Sequence, residues 1–202
     1  RGWDTPRALY PPDVLAWLQA SQAQAWAQLS KLHGAAAEAV VLERLRKALD
    51  EQGTLAVLRH GVELVGLKAP LKLAQFKPAL AMNAELQARY AANRLRVLRQ
   101  VRTNHDDIID LVLCLNGVPV ATAELKTDFT QDVNRAIDQY RFERLPRPKG
   151  RAQAEPLLDF PRGALVHFAV SNRTVFMTTR LLGPATRFLP FNQGDGGGAG
   201  NP

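Results

Sequence analysis

The chain has 202 residues, 46% of them apolar and 22% charged, and carries 26 Lys and Arg against 19 Asp and Glu for a formal net charge of +7. That length supports a real buried core, and the composition excludes a disordered or collagen-like chain. One cysteine, Cys114, excludes an internal disulfide and a multi-cysteine zinc site and suits a reducing cytoplasm; no apolar run of 18 residues offers a membrane span, and no signal-peptide pattern opens the chain.

In chain order, Pro11-Pro12-Asp13 opens a helical pattern in which Val14, Leu18, Ala25, Leu29 and Leu32 share one face. The polar pair Ser21-Gln22 interrupts that face, and Gly34 stops it. A second helix is expected over 36–50, with Val40, Leu42, Leu45 and Leu49 apolar and Gly53 at its end. Residues 54–59 and 62–65 read as short strands around a His60-Gly61 turn. Pro70 and Pro78 break any long element over 67–82. Asn83 predicts the N-cap of a helix running to Arg94.

The pattern then changes. Residues 95–101, 108–115 and 118–126 are rich in Val and Leu, as strands are, with Asn116-Gly117 marking a hairpin turn. Residues 132–144 read as a helix closed by Pro146, and 164–170 and 174–178 as two further strands around Ser171-Asn172. The tail 192–202 holds five glycines and reads as a linker. The expected fold is a mixed α/β sheet flanked by helices over 54–191, preceded by a helical arm over 1–53.

Asp110, Glu124 and Lys126 carry the chemistry. Glu124 and Lys126 lie two apart on one strand and so share a face. A strict two-residue turn at Asn116-Gly117 would set Asp110 opposite Ala123, and the two carboxylates would face opposite sides. An odd loop over 116–118, or a bulge with the same effect on parity, sets Asp110 opposite Glu124 and is the expectation here. Two converging carboxylates bind a hard cation such as Mg²⁺, with the Leu125 carbonyl as a third oxygen. The cation polarises a phosphate and activates water, and Lys126 meets the charge building on phosphorus. Glu-x-Lys is also a common solvated surface pair. Three fixed types at this spacing arise by chance in roughly one chain of this size in 25. The weight therefore rests on context: these charges interrupt strands that are otherwise apolar, and buried charges need partners or a metal.

The segment from Ile109-Asp110 through Asn116-Gly117 to Glu124-Leu125-Lys126 resembles the nuclease core of the PD-(D/E)xK superfamily. More narrowly, the chain resembles the amino-terminal region of type I restriction R subunits. Further matching segments are Arg94–Arg102, Asp138-Gln139-Tyr140-Arg141, Val166–Val170, Met177–Arg180 and Arg187–Asn192. The resemblance implies a restriction-endonuclease-like fold and Mg²⁺-dependent hydrolysis of double-stranded DNA. It also implies modification and specificity subunits as partners of the full-length protein, in the cytoplasm. By the same resemblance Asp110 and Glu124 are metal ligands, Lys126 is the catalytic lysine and Gln139 assists DNA positioning. The family's tyrosine four residues after that glutamine is replaced by Glu143, with Tyr140 adjacent to Gln139 instead. An acidic residue on an early helix is expected upstream of Arg1, with Glu38 and Glu43 the nearby substitutes. The full-length subunit uses ATP, but no Gly-x-x-x-x-Gly-Lys-Ser/Thr loop occurs here to bind it.

Among the supporting residues, Arg94, Arg96, Arg99 and Arg102 read either as phosphate contacts or as a charged strand edge. Arg102 is the stronger DNA contact, and Arg99 falls by alternation with Leu95, Val97 and Val101 as a possible inward residue. His105, Asp106 and Asp107 fit a solvated turn better than an extension of the metal site. His33 and His60 lack ligand spacing, His167 reads as a packed residue, and Trp3, Trp17 and Trp26 fit packing of the arm. Two functions stay open: a Mg²⁺-dependent endonuclease domain, and a non-catalytic DNA-binding or assembly module.

Overall fold

The computed structural model describes residues 2–80, 82–127 and 132–191; the expected linker 192–202 lies outside them. The chain divides into two compact units, Arg1–Arg96 with Cys114–Val118, and Val97–Leu113 with Pro119–Pro202.

The first unit is helical: α1 Pro11–Ser21, α2 Ala23–His33, α3 Ala37–Gln52, α4 Thr54–His60 and α5 Ala84–Ala91. The expected first helix is two, broken at Gln22 with φ −143° and ψ 48°. The break belongs to the polar pair Ser21-Gln22: Gln22 turns its amide onto Lys72, donating to its carbonyl and accepting from its N–H. After the break the second half no longer continues the first half's face, so Leu32 is 55% exposed instead of buried. The expected strand over 54–59 is helix α4. Thr54, Val57 and Leu58 are buried while Leu55 is exposed. That spacing is helical, and Gly53 and Gly61 at positive φ close the two ends. Of the second expected strand, Val62 makes only a bridge to Leu71. Asn83 caps α5 as expected, its side chain accepting from Leu86 N–H at 3.0 Å. Trp17 is fully buried and donates its indole N–H to the Lys72 carbonyl at 2.8 Å.

The hairpin tip belongs to this unit. Asn116 and Gly117 both have positive φ, 49° and 81°, as the two centre residues of a tight primed turn require. Asn116 is fully buried. Its Oδ1 accepts from Arg94 N–H, and its Nδ2 donates to the Leu73 carbonyl and to Asn93 Oδ1. Gly117 accepts from Tyr10 N–H at 2.8 Å, and a Cβ there would run into the Tyr10 carbonyl and Val14.

The sheet runs in the order β1-β2-β3-β4-β5-β6, with β1 Leu95–Arg102, β2 Ile108–Leu115, β3 Val118–Leu125, β4 Val166–Val170, β5 Val175–Thr178 and β6 Leu189–Pro190. The mixed α/β fold expected from the sequence is the one observed. β3 and β4 are parallel, with Thr122 beside His167 and Glu124 beside Ala169, while β4–β5 and β5–β6 are antiparallel. A parallel pair needs a crossover, and α6 Val133–Asp138 supplies it, with Asp132 as N-cap. Ala136 and Ile137 of α6 pack on Ala169, with Val133, Phe176 and Phe188 around them. Burying an isoleucine-sized side chain this way is worth about 1.5–3 kcal/mol, enough to hold a helix of only two turns.

Candidate active site

The hairpin turn has two residues, not the expected odd number. The parity change lies inside the strands instead. In β2, Ile109, Val112 and Cys114 are all buried, so the alternation reverses between Ile109 and Val112. In β1, Leu95 and Val97 are exposed while Val101 is buried, and the reversal falls at Gln100, whose φ is 51°. A residue in left-handed conformation within a strand re-aims the side chains that follow it. Arg99 therefore points outward with Leu95 and Val97 rather than inward with Val101.

These reversals bring Asp110 to Glu124. Successive N–H groups of β3 point to opposite neighbours: Lys126 N–H donates to the Val170 carbonyl of β4 at 2.8 Å, so Leu125 N–H faces β2. There it meets the Asp110 carboxylate, Oδ2, at 2.9 Å. Asp110 Oδ1 accepts from Gln100 Nε2 at 2.9 Å. Glu124 is fully buried. Its Oε1 accepts from Arg144 Nε at 2.8 Å, and its Oε2 is buried with no hydrogen-bond partner.

Arg144 is the residue the sequence did not reveal. A five-residue π-turn, Gln139–Glu143, follows α6, and Arg144 N–H donates to the Gln139 carbonyl at 2.7 Å. The wide turn shifts the helical phase by one residue and directs Arg144 inward, where its side chain is 11% exposed. It also donates to the Ile108 carbonyl at 3.1 Å and lies 3.5 Å from Asp107. Tyr140, on the same turn, is fully buried and shares a hydrogen bond with Thr122, which is itself bonded to His167. Tyr140 is thus a core residue beneath the site. Burial drives the His167 pKa down to about 3, so its ring is neutral, as the packed reading expected. Gln139 Oε1 is buried without a partner.

The electrostatics split the two carboxyls. Burial pushes the Glu124 pKa up to about 7; Arg144 opposes that rise and Asp110 adds to it. Burial also raises Asp110, but the Leu125 N–H, Glu124, Gln100 and the charge of Lys126 outweigh it and leave Asp110 below the ordinary carboxylate range. Two touching carboxyls do not both ionise freely near neutrality without more positive charge. A divalent cation would let both ionise, and the unbonded Glu124 Oε2 beside Asp110 is an oxygen donor of the kind Mg²⁺ takes. No group of three or more His, Cys, Asp or Glu suited to a metal occurs among the described residues. Glu43 is bonded to Arg7. Two carboxylates remain compatible with Mg²⁺, which keeps several waters.

Elsewhere, Arg96 is bonded to the buried Asp13 and lies over the Tyr10 ring, so it is a structural residue of the first unit. Arg102 pairs with Asp106 and Thr103 N–H donates to the Asp107 carbonyl, so 105–107 is the expected turn, but it is not wholly solvated: His105 Nδ1 is buried and Asp107 lies against Arg144. Cys114 is buried and its thiol is pushed up to about 12, chiefly by that burial. The larger described cavity, about 620 Å³ among His33, Arg44, Glu63 and Lys68, contains none of the site residues.

Fold and site together define a mixed-sheet α/β protein with a half-exposed aspartate beside a buried glutamate that an arginine holds and a lysine follows. The chain belongs to the family described as type I restriction enzyme R protein N terminus, whose model matches residues 18–185. It lies in the amino-terminal region of such a subunit. The chain matches no curated protein and no solved structure. No helix among the described residues is long and apolar enough to cross a membrane.

Proposed function

We propose that this chain is the Mg²⁺-dependent DNA endonuclease region of its R subunit, of PD-(D/E)xK type, with Asp110, Glu124 and Lys126 as its centre. The observation that carries the reading is the buried Glu124 carboxyl set against Asp110: its Oε2 receives no hydrogen bond from another described residue, and the two carboxyls interact directly. Asp110 and Glu124 hold the ion, with the Leu125 carbonyl as a further oxygen. Bound Mg²⁺ supplies Lewis-acid polarisation of the phosphate and activation of water. Gln100 and the Leu125 N–H fix the Asp110 carboxylate, and Arg144 fixes that of Glu124. Lys126, whose charge already reaches Asp110, orients water or meets the charge developing on phosphorus. Gln139, and Arg99 and Arg102 on β1, contact double-stranded DNA. The modification and specificity subunits are the partners of the full-length protein.

The second reading, a non-catalytic DNA-binding or assembly module, is favoured by one observation: Arg144 already places a cation on Glu124. Calorimetric titration with Mg²⁺ separates the two. Wild type binds, and Glu124→Ala binds at least about tenfold more weakly under the nuclease reading; equal binding supports the second. In the full R subunit, Lys126→Ala lowers the cutting rate by roughly a hundredfold or more. Normal cutting by that variant rules out the catalytic assignment.

A further inference from the structure

The chain following the arginine on Glu124 is strongly basic: Arg141, Arg144, Arg147, Lys149 and Arg151 accompany the single acid Glu143 over 141–151. Leu145, the residue after Arg144, enters the wall of a second cleft, about 440 Å³, lined also by Arg147, Lys149, Asp159, Phe160, Arg180 and Leu182. That volume is in the range of small-ligand clefts, roughly 300–1,000 Å³. Its one acid is spoken for. Asp159 is 6% exposed and accepts two hydrogen bonds from Arg147, at 3.1 and 2.9 Å, and one from Arg162 at 2.8 Å. Lys149 and Arg180 are exposed and have no carboxylate partner among the described residues. Phe160 is 48% exposed and Leu182 53%, and the Arg180 guanidinium lies 5.4 Å from the Phe160 ring centroid.

We infer that this cleft takes an unpaired DNA strand, with phosphates on Lys149 and Arg180 and a base against the Phe160 ring. An exposed aromatic face beside uncompensated cations is the arrangement that binds single strands without sequence preference. An acidic peptide would answer the cations but leave the ring without a matching face. The cleft is distinct from the acid pair, and its wall begins one residue from Arg144, close enough along the chain for a strand leaving the proposed cutting site to be taken up there. In that sense the inference rests on the nuclease reading, although its test does not.

The test is fluorescence anisotropy of a labelled single-stranded oligonucleotide and of the matching duplex, in EDTA, where no metal-dependent cutting contributes. The Lys149→Ala/Arg180→Ala variant is expected to bind the single strand about tenfold more weakly, with a salt slope reduced by about 1.4, from 0.7 per lost phosphate contact. Phe160→Ala is expected to weaken the single strand at least about fivefold and the duplex less. Phe160→Leu, which keeps apolar bulk without the aromatic face, is expected to show the same selective loss and covers the case in which the alanine variant misfolds. Wild-type binding by the folded variants overturns the inference. So does equal loss for strand and duplex in Phe160→Leu, or competition by poly-glutamate as effective as that by an oligonucleotide of equal charge. A subunit that cuts while its cleft variants bind normally overturns the cleft alone. A subunit that never cuts while those variants lose the strand leaves the cleft standing.

Discussion

At its tip the β2–β3 hairpin buries Asn116 with its amide oxygen and nitrogen both hydrogen-bonded, whereas at its open end the equally buried Glu124 keeps one oxygen unbonded. Burying a carboxyl against a second carboxyl costs stability that a fully hydrogen-bonded amide does not, so the first arrangement stabilises the fold and the second burdens it. A carboxyl kept under such conditions, with its pKa raised to about 7 and an arginine and a second carboxyl against it, is the kind of group the proposed metal site requires. The contrast separates the scaffold from the site along a single pair of strands.

Three substitutions probe that contrast. The largest effect is expected at the tip. Gly117→Val forces a branched side chain into φ 81° and against Tyr10 and Val14, and should cost about 4 kcal/mol in urea unfolding. A loss under about 1 kcal/mol would show that the tip yields more easily than its hydrogen bonds imply.

At the open end, Arg144→Met removes the cation on a buried carboxylate and should cost about 3 kcal/mol at pH 8 without metal. The loss should be smaller at pH 5. Glu124 has a folded pKa of about 7 against 4.5 in the unfolded chain, so its proton is retained at pH 5 and the neutral carboxyl needs no cation. For the same reason the wild-type contribution of Glu124 is fully present below about pH 4.5 and is lost as pH rises through about 7. Glu124→Gln should remove that part of the pH dependence. Equal losses for Arg144→Met at the two pH values would mean that Arg144 acts through Asp107 and the Ile108 carbonyl instead.

The smallest effect is expected where capping is exposed. Asn83→Ala should cost about 1 kcal/mol, read as faster hydrogen exchange confined to α5, a helix with no buried residue. Slowed or unchanged exchange there would count against the Asn83 cap.

Much of this arrangement was legible in the sequence. Asn116-Gly117 names its turn because only such residues accept positive φ at both centre positions, and Asn83 and Asp132 name their helix starts. The strands around Asp110 and Glu124 follow from their Val- and Leu-rich runs. Thr54–His60 was misread because a short apolar run fits either period, and its packing made it a helix. Gln100 and Arg144 had no sequence signal. A non-glycine residue at positive φ inside a strand and a π-turn after a six-residue helix are held by tertiary contacts, not by local propensity.

The sequence by itself determined the residue types of the site, the turn, the mixed α/β class and the family, because these depend on local chemistry and on the order of motifs along the chain. The tertiary structure alone decided that Asp110 reaches Glu124, that Arg144 rather than a third carboxyl sits beside them, and that Tyr140 lies in the core. The physical reason is parity. One added residue in a strand or a helical turn reverses which side chains face inward, and whether that residue is accommodated depends on packing from distant parts of the chain.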